Sequence, residues 1–354
     1  MSNADVRVTD IVDFVKVNQL IANTSKVVTI DNISDAKALL AVISNNIITP
    51  NANIESAEIT VTDDVNRSEV ETINTYNITG NVTITSITDS FSNISAVRGT
   101  TGISIGTALI TATDAVTLDN ANSLNGFTNA QVTLNAVQDT VSNITSIDGL
   151  TTSDVSMAAA AVTVTDAASF ANADAINGFT TGKVTLNSVE DTYSKIQNIK
   201  SIADAQVDMG AATVKVSDNV TKTEVDDLRT DTTGNITLTS LTEDKTDLAA
   251  INGFSDVILS TANITVTDNV NKTEADTIDA YSNTSGTVTL TSITDTVSNV
   301  TAVENNANIS LDTSTITVTD AATLSDANAI NLFTTAQVTL NSVKDTYDKL
   351  IAIV

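Results

Sequence analysis

The chain has 354 residues, of which 43 are acidic and 16 are basic, so its formal net charge is −27. This balance lacks the basic surface that nucleic acids or anionic membranes attract, and we expect no nucleic-acid partner and no membrane insertion. Because cysteine and histidine are both missing from the sequence, disulfides, thiolate chemistry and the usual zinc sites are excluded.

A phrase of the type Ile-Thr-Val-Thr-Asp recurs along the chain at intervals of about 52 residues. Its closing aspartates are Asp10, Asp63, Asp114, Asp166, Asp218, Asp268 and Asp320. A second phrase, Val-Thr-Leu-Asn-Ser-Val, keeps the same interval, and such self-similarity is typical of solenoids. We predict a single solenoid of seven repeats, with approximate boundaries 4–57, 58–102, 103–152, 153–204, 205–256, 257–308 and 309–354.

Within one repeat, residues 161–166 alternate between apolar and polar, which predicts a half-buried strand. Asp166 precedes an apolar helical face that includes Phe170, and we interpret this aspartate as the N-cap of that helix. Residues 184–189 predict a second strand, a second short helix follows, and residues 207–209 predict a short third strand. This order predicts an α/β or mainly β solenoid, with short parallel strands alternating with short helical segments. Each repeat then contributes two coils or, as the alternative, one wider coil.

Stacked repeats would align the recurring aspartates in a row, and two interpretations of that row remain open. Helix capping fits the local spacing better. The alternative is calcium at Asp63, Asp114, Asp166, Asp268 and Asp320, because carboxylates are preferred ligands of this ion. The Gly-Gly-x-Gly-x-Asp pattern of nonapeptide calcium arrays does not occur in the sequence. No cofactor other than calcium is expected.

Catalytic residues are not expected, because the sequence has no histidine base, cysteine nucleophile, glycine-rich phosphate loop or Gly-x-Ser-x-Gly elbow. The repeat at 205–256 is the one place where charged residues break the regular pattern. These residues are Lys215, Lys222, Arg229, Glu243, Asp244 and Lys245. Exchange of surface charge explains them more simply than a site of the polysaccharide-lyase type, so we predict that the chain is not an enzyme.

Neither end of the sequence has an evident polar capping repeat, and an uncapped parallel ladder exposes unpaired backbone. Three explanations are open: a segment of a longer array, self-capping by irregular packing, or head-to-tail association of copies. For the third, the predicted assembly residues are Val6, Val8, Leu350, Ile351 and Ile353.

The phrases at 316–330 and 338–347 resemble repeats of large bacterial, especially cyanobacterial, surface and secreted proteins, and the resemblance spans nearly the whole chain. It implies an extracellular or cell-surface location and a structural or adhesive role. We therefore expect a structural protein that assembles end to end into a filament, surface layer or matrix. The alternative is a glycan- or surface-binding adhesin or a phage fibre segment, which would have a glycan as its partner.

Overall fold

The computed structural model describes residues 4–44, 51–150, 155–202, 206–282 and 285–351. Its internal contacts divide the chain into two compact units. The first contains Met1–Asp166 and Asp174–Thr185, and the second contains Ala167–Ala173 and Leu186–Val354. Each unit is built from the same strand and helix pattern.

Every repeat contributes two long strands, which we call the A strand and the B strand. The A strands are β1 Val6–Val12, β4 Glu58–Val65, β7 Leu109–Val116, β10 Ala161–Ala168, β13 Thr213–Val220, β16 Asn263–Val270 and β19 Thr315–Ala322. The B strands are β2 Val28–Asp35, β5 Val82–Asp89, β8 Val132–Asp139, β11 Val184–Asp191, β14 Ile236–Glu243, β17 Val288–Asp295 and β20 Val338–Val343. Two-residue strands precede the later A strands: β3 Ala52–Asn53, β6 Ile103–Ser104, β9 Val155–Ser156, β12 Val207–Asp208, β15 Val257–Ile258 and β18 Ile309–Ser310.

A helix follows each long strand. After the A strands lie α1 Phe14–Ile21, α3 Arg67–Asn74, α5 Leu118–Asn125, α7 Phe170–Phe179, α9 Lys222–Asp231, α11 Lys272–Ser282 and α13 Leu324–Ile330. After the B strands lie α2 Lys37–Ser44, α4 Phe91–Arg98, α6 Val141–Gly149, α8 Tyr193–Ile199, α10 Lys245–Asn252, α12 Val297–Glu304 and α14 Tyr347–Leu350. One strand with its helix makes one coil, so a repeat has two coils and the predicted α/β solenoid pattern is confirmed.

Neighbouring coils are joined by parallel strand pairing. In the first unit, Ile59 and Val61 of β4 pair with Val82 and Ile84 of β5, and after a register shift Val65 pairs with Ile87. On its other side, the second half of β5 pairs with the first half of β7, as in Ile87 opposite Ile110. The second unit repeats both patterns, with β16 on β17 and β17 on β19.

The core is aliphatic and comes from alternate strand residues and one face of each helix. Ile84 and Ile87 of β5 and Ile94 of α4 are all 0% exposed. Full burial of an isoleucine side chain stabilises a fold by about 1.5–3 kcal/mol relative to an exposed one. Since each coil is too thin to bury these side chains alone, the stacking of coils supplies the core.

Buried threonines close several of the A coils. Thr232 donates from Oγ1 to the carbonyl oxygen of Ala212 at 2.6 Å and accepts the backbone N–H of Gly234 at 2.9 Å. A Cβ built on Gly234 would lie 2.2 Å from that same carbonyl oxygen. Gly80, Gly182 and Gly286 make equally close approaches to the carbonyls of Ala57, Ala160 and Ala262. At these four turns the backbone of the same coil passes too close for a side chain. The equivalent position is Lys26, Ala130 or Ala336 in the other A coils, where its N–H makes the same contact with the threonine.

Candidate functional site

The A-strand aspartates cap helices, but not the helices that follow them in sequence. Oδ1 of Asp166 accepts the backbone N–H of Val141, the first residue of α6 in the preceding coil, at 2.8 Å. The A-strand aspartates of the other repeats after the first make the same contact. These pairs are Asp63 with Lys37 (2.8 Å), Asp114 with Phe91 (2.8 Å), Asp218 with Tyr193 (2.8 Å), Asp268 with Lys245 (3.0 Å) and Asp320 with Val297 (2.8 Å).

This arrangement corrects the interpretation of Asp166 as the cap of its own helix. Strand β10 continues through Asp166 to Ala168, and α7 begins only at Phe170. Within that helix, Ser169 accepts the backbone N–H of Asn172 and takes the N-cap place. The Asp166 carboxylate therefore caps α6 of the preceding coil.

The B-strand carboxylates make the equivalent contact with the A helices. The pairs are Asp35 with Phe14 (2.7 Å), Asp89 with Arg67 (2.9 Å), Asp139 with Leu118 (2.9 Å), Asp191 with Phe170 (3.0 Å), Glu243 with Lys222 (2.5 Å), Asp295 with Lys272 (2.8 Å) and Asp345 with Leu324 (3.1 Å). Each carboxylate receives an N–H that an isolated helix leaves without a partner, at the positive end of the helix dipole.

The electrostatics of these carboxylates favour their charged form. Burial alone would raise the pKa of Asp139, but hydrogen bonds from the Leu118 backbone, the Asn143 amide and the Thr140 backbone hold it below the ordinary value. The pKa of Asp295 is lowered in the same way, with burial opposed by bonds from Lys272, Asn299 and Thr296. Asp139 and Asp295 therefore carry negative charge at neutral pH.

Calcium at Asp63, Asp114, Asp166, Asp268 and Asp320 stays a prediction. One oxygen of each of these side chains already accepts a helix N–H. Across the described ranges, no three acidic side chains come together in a group that could hold a metal ion.

The charged residues of the repeat at 205–256 engage separate partners instead of meeting in one site. Lys215 pairs with Glu190 at 2.7 Å, and Lys222 pairs with Asp226 at 2.6 Å. Arg229 contacts Asp256 at 2.8 Å and lies 3.8 Å from the centre of the Phe254 ring. The remaining three also act locally: Glu243 and Asp244 cap helices, and Lys245 pairs with Glu274 at 3.0 Å.

Strand β1 and the segment from β20 into α14 expose groups whose equivalents in the other repeats are buried or hydrogen-bonded. Val343 of β20 is 37% exposed, whereas the equivalent Ile293 of β17 is 0% exposed. Within the described part of the chain, neither the Asp10 carboxylate nor the backbone N–H of Tyr347 has a hydrogen-bond partner. Of the predicted assembly residues, Val6, Val8 and Leu350 are half-buried and Ile351 is 54% exposed. Ile353 lies outside the described residues.

Two surface grooves are lined by the same combination of a lysine, a glutamate and a tyrosine, which the sequence analysis did not identify. The first lies between α2 and α3, has a volume of about 330 Å³ and is lined by Lys37, Ala41, Glu69 and Tyr76 among others. The second lies between α10 and α11, measures about 190 Å³ and is lined by Lys245, Glu274 and Tyr281 among others. A repeat-by-repeat alignment would reveal the recurring residues, but their proximity depends on how the coils stack.

In the part of the chain that the structure describes, no helix combines the length and apolar character needed to cross a membrane. The chain matches no protein-family model, no curated protein and no solved structure.

Proposed function

We propose that the chain is a non-enzymatic structural protein of the cell exterior that associates end to end with copies of itself. Its role would be to form a filament, surface layer or matrix. The exterior location follows from the resemblance of its repeats to those of bacterial surface and secreted proteins. The observation that supports end-to-end association is that the unpaired groups at Val343 and Tyr347 are complementary to those at Val6 and Asp10.

The match follows from the register of an internal junction between a B coil and the next A coil. At such a junction, Ile293 of β17 pairs with Ile316 of β19, Asp295 pairs with Val318, and the Val297 N–H donates to Asp320. The equivalent positions in β20 and α14 are Val343, Asp345 and Tyr347, and those in the first coil are Val6, Val8 and Asp10.

A second copy placed in this register would pair Val343 with Val6 and Asp345 with Val8. The Tyr347 N–H would donate to Asp10, which completes the carboxylate cap that other helices of this type receive. Leu350 holds the position of Val300, which is 0% exposed in its own coil, so the contact would also bury apolar surface.

One pair opposes the contact. In this register Lys344 would face Arg7, and like charges directly opposite each other on a sheet are destabilising. Arg7 is already paired with Asp31 at 3.0 Å, which reduces the repulsion. Together with the net charge of −27, this pair makes association stronger at high ionic strength, where charges are screened.

Negative-stain electron microscopy of the full chain, at low and high salt, tests the proposal. We expect linear particles that lengthen with protein concentration, and short separate particles for Val343→Asp. Ile78→Asp is the matched control, because Ile78 is 71% exposed and lies far in sequence from both terminal strands. Separate particles of wild-type protein under all conditions would refute end-to-end association.

A further inference from the structure

The two grooves between B helices and A helices are built from the same contacts. In the first, the Lys37 ammonium lies 2.8 Å from the Glu69 carboxylate and donates to the carbonyl oxygen of Asp64 at 2.9 Å. In the second, Lys245 lies 3.0 Å from Glu274 and donates to the carbonyl oxygen of Asn269 at 3.1 Å. Each lysine is therefore held at a fixed place at the end of its groove.

A small residue of the B helix, Ala41, lines the first groove. The fifth residue of that helix is Ala41 in α2 and Ala249 in α10, and it is larger at the equivalent places in the other B helices. In α8 the equivalent residue is Gln197, which donates to Asp231 across the junction at 2.7 Å, while Tyr193 donates to Asp227 at 3.0 Å. Long side chains thus bridge the junction between α8 and α9, whereas the two alanines are too short to bridge the junctions of α2 and α10.

An aromatic residue ends the groove in both cases. Tyr76 and Tyr281 are half-buried, and the equivalent residues of α5, α7 and α13 are Phe127, Phe179 and Phe333. A ring occupies this position in five of the seven repeats, with Asn23 and Asp231 in the other two, but the hydroxyl occurs together with the lysine, glutamate and alanine. A packing role alone requires the ring and gives no reason for this combination.

We infer that the groove between α2 and α3, and its smaller equivalent between α10 and α11, bind a ring of a neutral saccharide. A sugar ring has an apolar C–H face and a rim of hydroxyls. The tyrosine ring and the buried Ile73 offer an apolar wall and floor, and Ile73 is 2% exposed. The ammonium and carboxylate supply hydrogen-bond donors and acceptors for the hydroxyls.

The charges of the groove select a neutral ligand. The lysine and glutamate compensate each other, and hydrogen bonding between them raises the pKa of Lys37 and lowers that of Glu69, so both stay charged at neutral pH. The protein around them carries a net charge of −27, which repels anionic sugars. Ser68 adds an exposed hydroxyl that has no hydrogen-bond partner within the described residues.

Calorimetric titration of the full chain with neutral trisaccharides of glucose, galactose, mannose and N-acetylglucosamine tests this inference. Tyrosine fluorescence gives a second readout, because the chain has no tryptophan. We expect at least one trisaccharide to bind with a dissociation constant on the order of 1 mM. The binding does not depend on end-to-end association, so it is expected to persist in Val343→Asp.

The decisive variant is the double substitution Ala41→Gln and Ala249→Gln, which fills both hollows with the residue that α8 carries naturally. It is expected to fold and to weaken binding at least about tenfold. Thr145→Gln makes the same addition at the fifth residue of α6 and is expected to leave the affinity unchanged. Failure of all four sugars to bind at about 20 mM, or unchanged affinity in the double variant, would overturn the inference.

Discussion

The Asp166 carboxylate accepts the backbone N–H of Val141 at 2.8 Å, although 25 residues separate the two in sequence. This bond joins the end of one strand to the first turn of the helix in the preceding coil. With its equivalents in both units, it makes the start of nearly every helix dependent on the coil that follows. Coil stacking is therefore held by charged hydrogen bonds as well as by the aliphatic core.

Asp139→Asn tests the stabilising role of the caps. Asparagine keeps one acceptor oxygen but loses the charge and the second acceptor, whereas Asp139 uses both oxygens. We therefore expect the free energy of unfolding at neutral pH to fall by about 0.5–1 kcal/mol, the lower part of the range for loss of a cap. The folded pKa of Asp139 lies below the ordinary value of 3.8, so its contribution is present above that pH and is lost as the pH falls through the folded pKa.

Urea unfolding of the wild type and of Asp139→Asn between neutral and strongly acidic pH measures this dependence. The difference between the two proteins is expected to be largest near neutrality and to shrink in acid. Asp174→Asn, at an exposed helix position, provides the control and is expected to have little effect. A difference for Asp139→Asn that grows as the pH falls would contradict the account.

Gly234→Ala tests the close backbone approach inside the A coil. The added Cβ would lie 2.2 Å from the carbonyl oxygen of Ala212, so we expect a loss of stability of about 1–3 kcal/mol. Gly178→Ala is the matched control, since no atom lies within 4 Å of its Cβ position and it belongs to helix α7. There alanine is expected to stabilise by about 0.5–1 kcal/mol. Thermal melting of both variants measures these changes in stability. Equal changes in the two variants would refute the close approach at Gly234.

Thr232→Val tests the buried hydroxyl that closes the same coil. Valine keeps the shape of the side chain but leaves the Ala212 carbonyl and the Gly234 N–H without their partner. We expect a loss of about 1–3 kcal/mol, the usual cost of unsatisfied buried polar groups. Thr232→Ser retains the hydroxyl and is expected to be less destabilising. If serine were worse than valine, packing of the methyl group would matter more than the hydrogen bonds.

Asp114→Asn separates capping from calcium binding at the A-strand aspartates. If Asp114 acts only as the cap of α4, the variant is expected to melt lower by the same amount with and without calcium at ~1 mM, the range of extracellular calcium modules. Melting followed by circular dichroism measures both conditions. A calcium-dependent rise in the melting temperature that occurs in the wild type and disappears in the variant would establish the metal instead.

The sequence was sufficient to predict the repeat and the strand and helix pattern, because the period of about 52 residues contains two alternating segments. It left two coils or one wider coil per repeat open, and the structure has two. The local capping pattern predicts that Asp166 caps the helix that follows it, and this prediction is wrong. The true donor, Val141, becomes its neighbour only through the pairing of β8 with β10. The spacing of residues along the chain does not reveal the contact between Val141 and Asp166.

The grooves were missed for the same reason. Lys37 and Glu69 lie on different helices, and their ion pair depends on the position of α2 relative to α3. Composition pointed away from a saccharide site, since aromatic residues make up only 3% of the chain. A few aromatic residues are enough when each lies at the end of a groove that smaller side chains have left open.

Sedimentation velocity of the wild type and of Lys344→Glu tests the end-to-end register most directly. The substitution would place a glutamate opposite Arg7, as Glu190 lies opposite Lys215 at 2.7 Å within the second unit. Exchange of a repulsive pair for an attractive one is worth about 1.4 kcal/mol, so association is expected to become roughly tenfold stronger. Lys183→Glu, the same charge change elsewhere on the surface, is expected to have no such effect. If Lys344→Glu left association unchanged or weakened it, the proposed register of the two copies would be wrong.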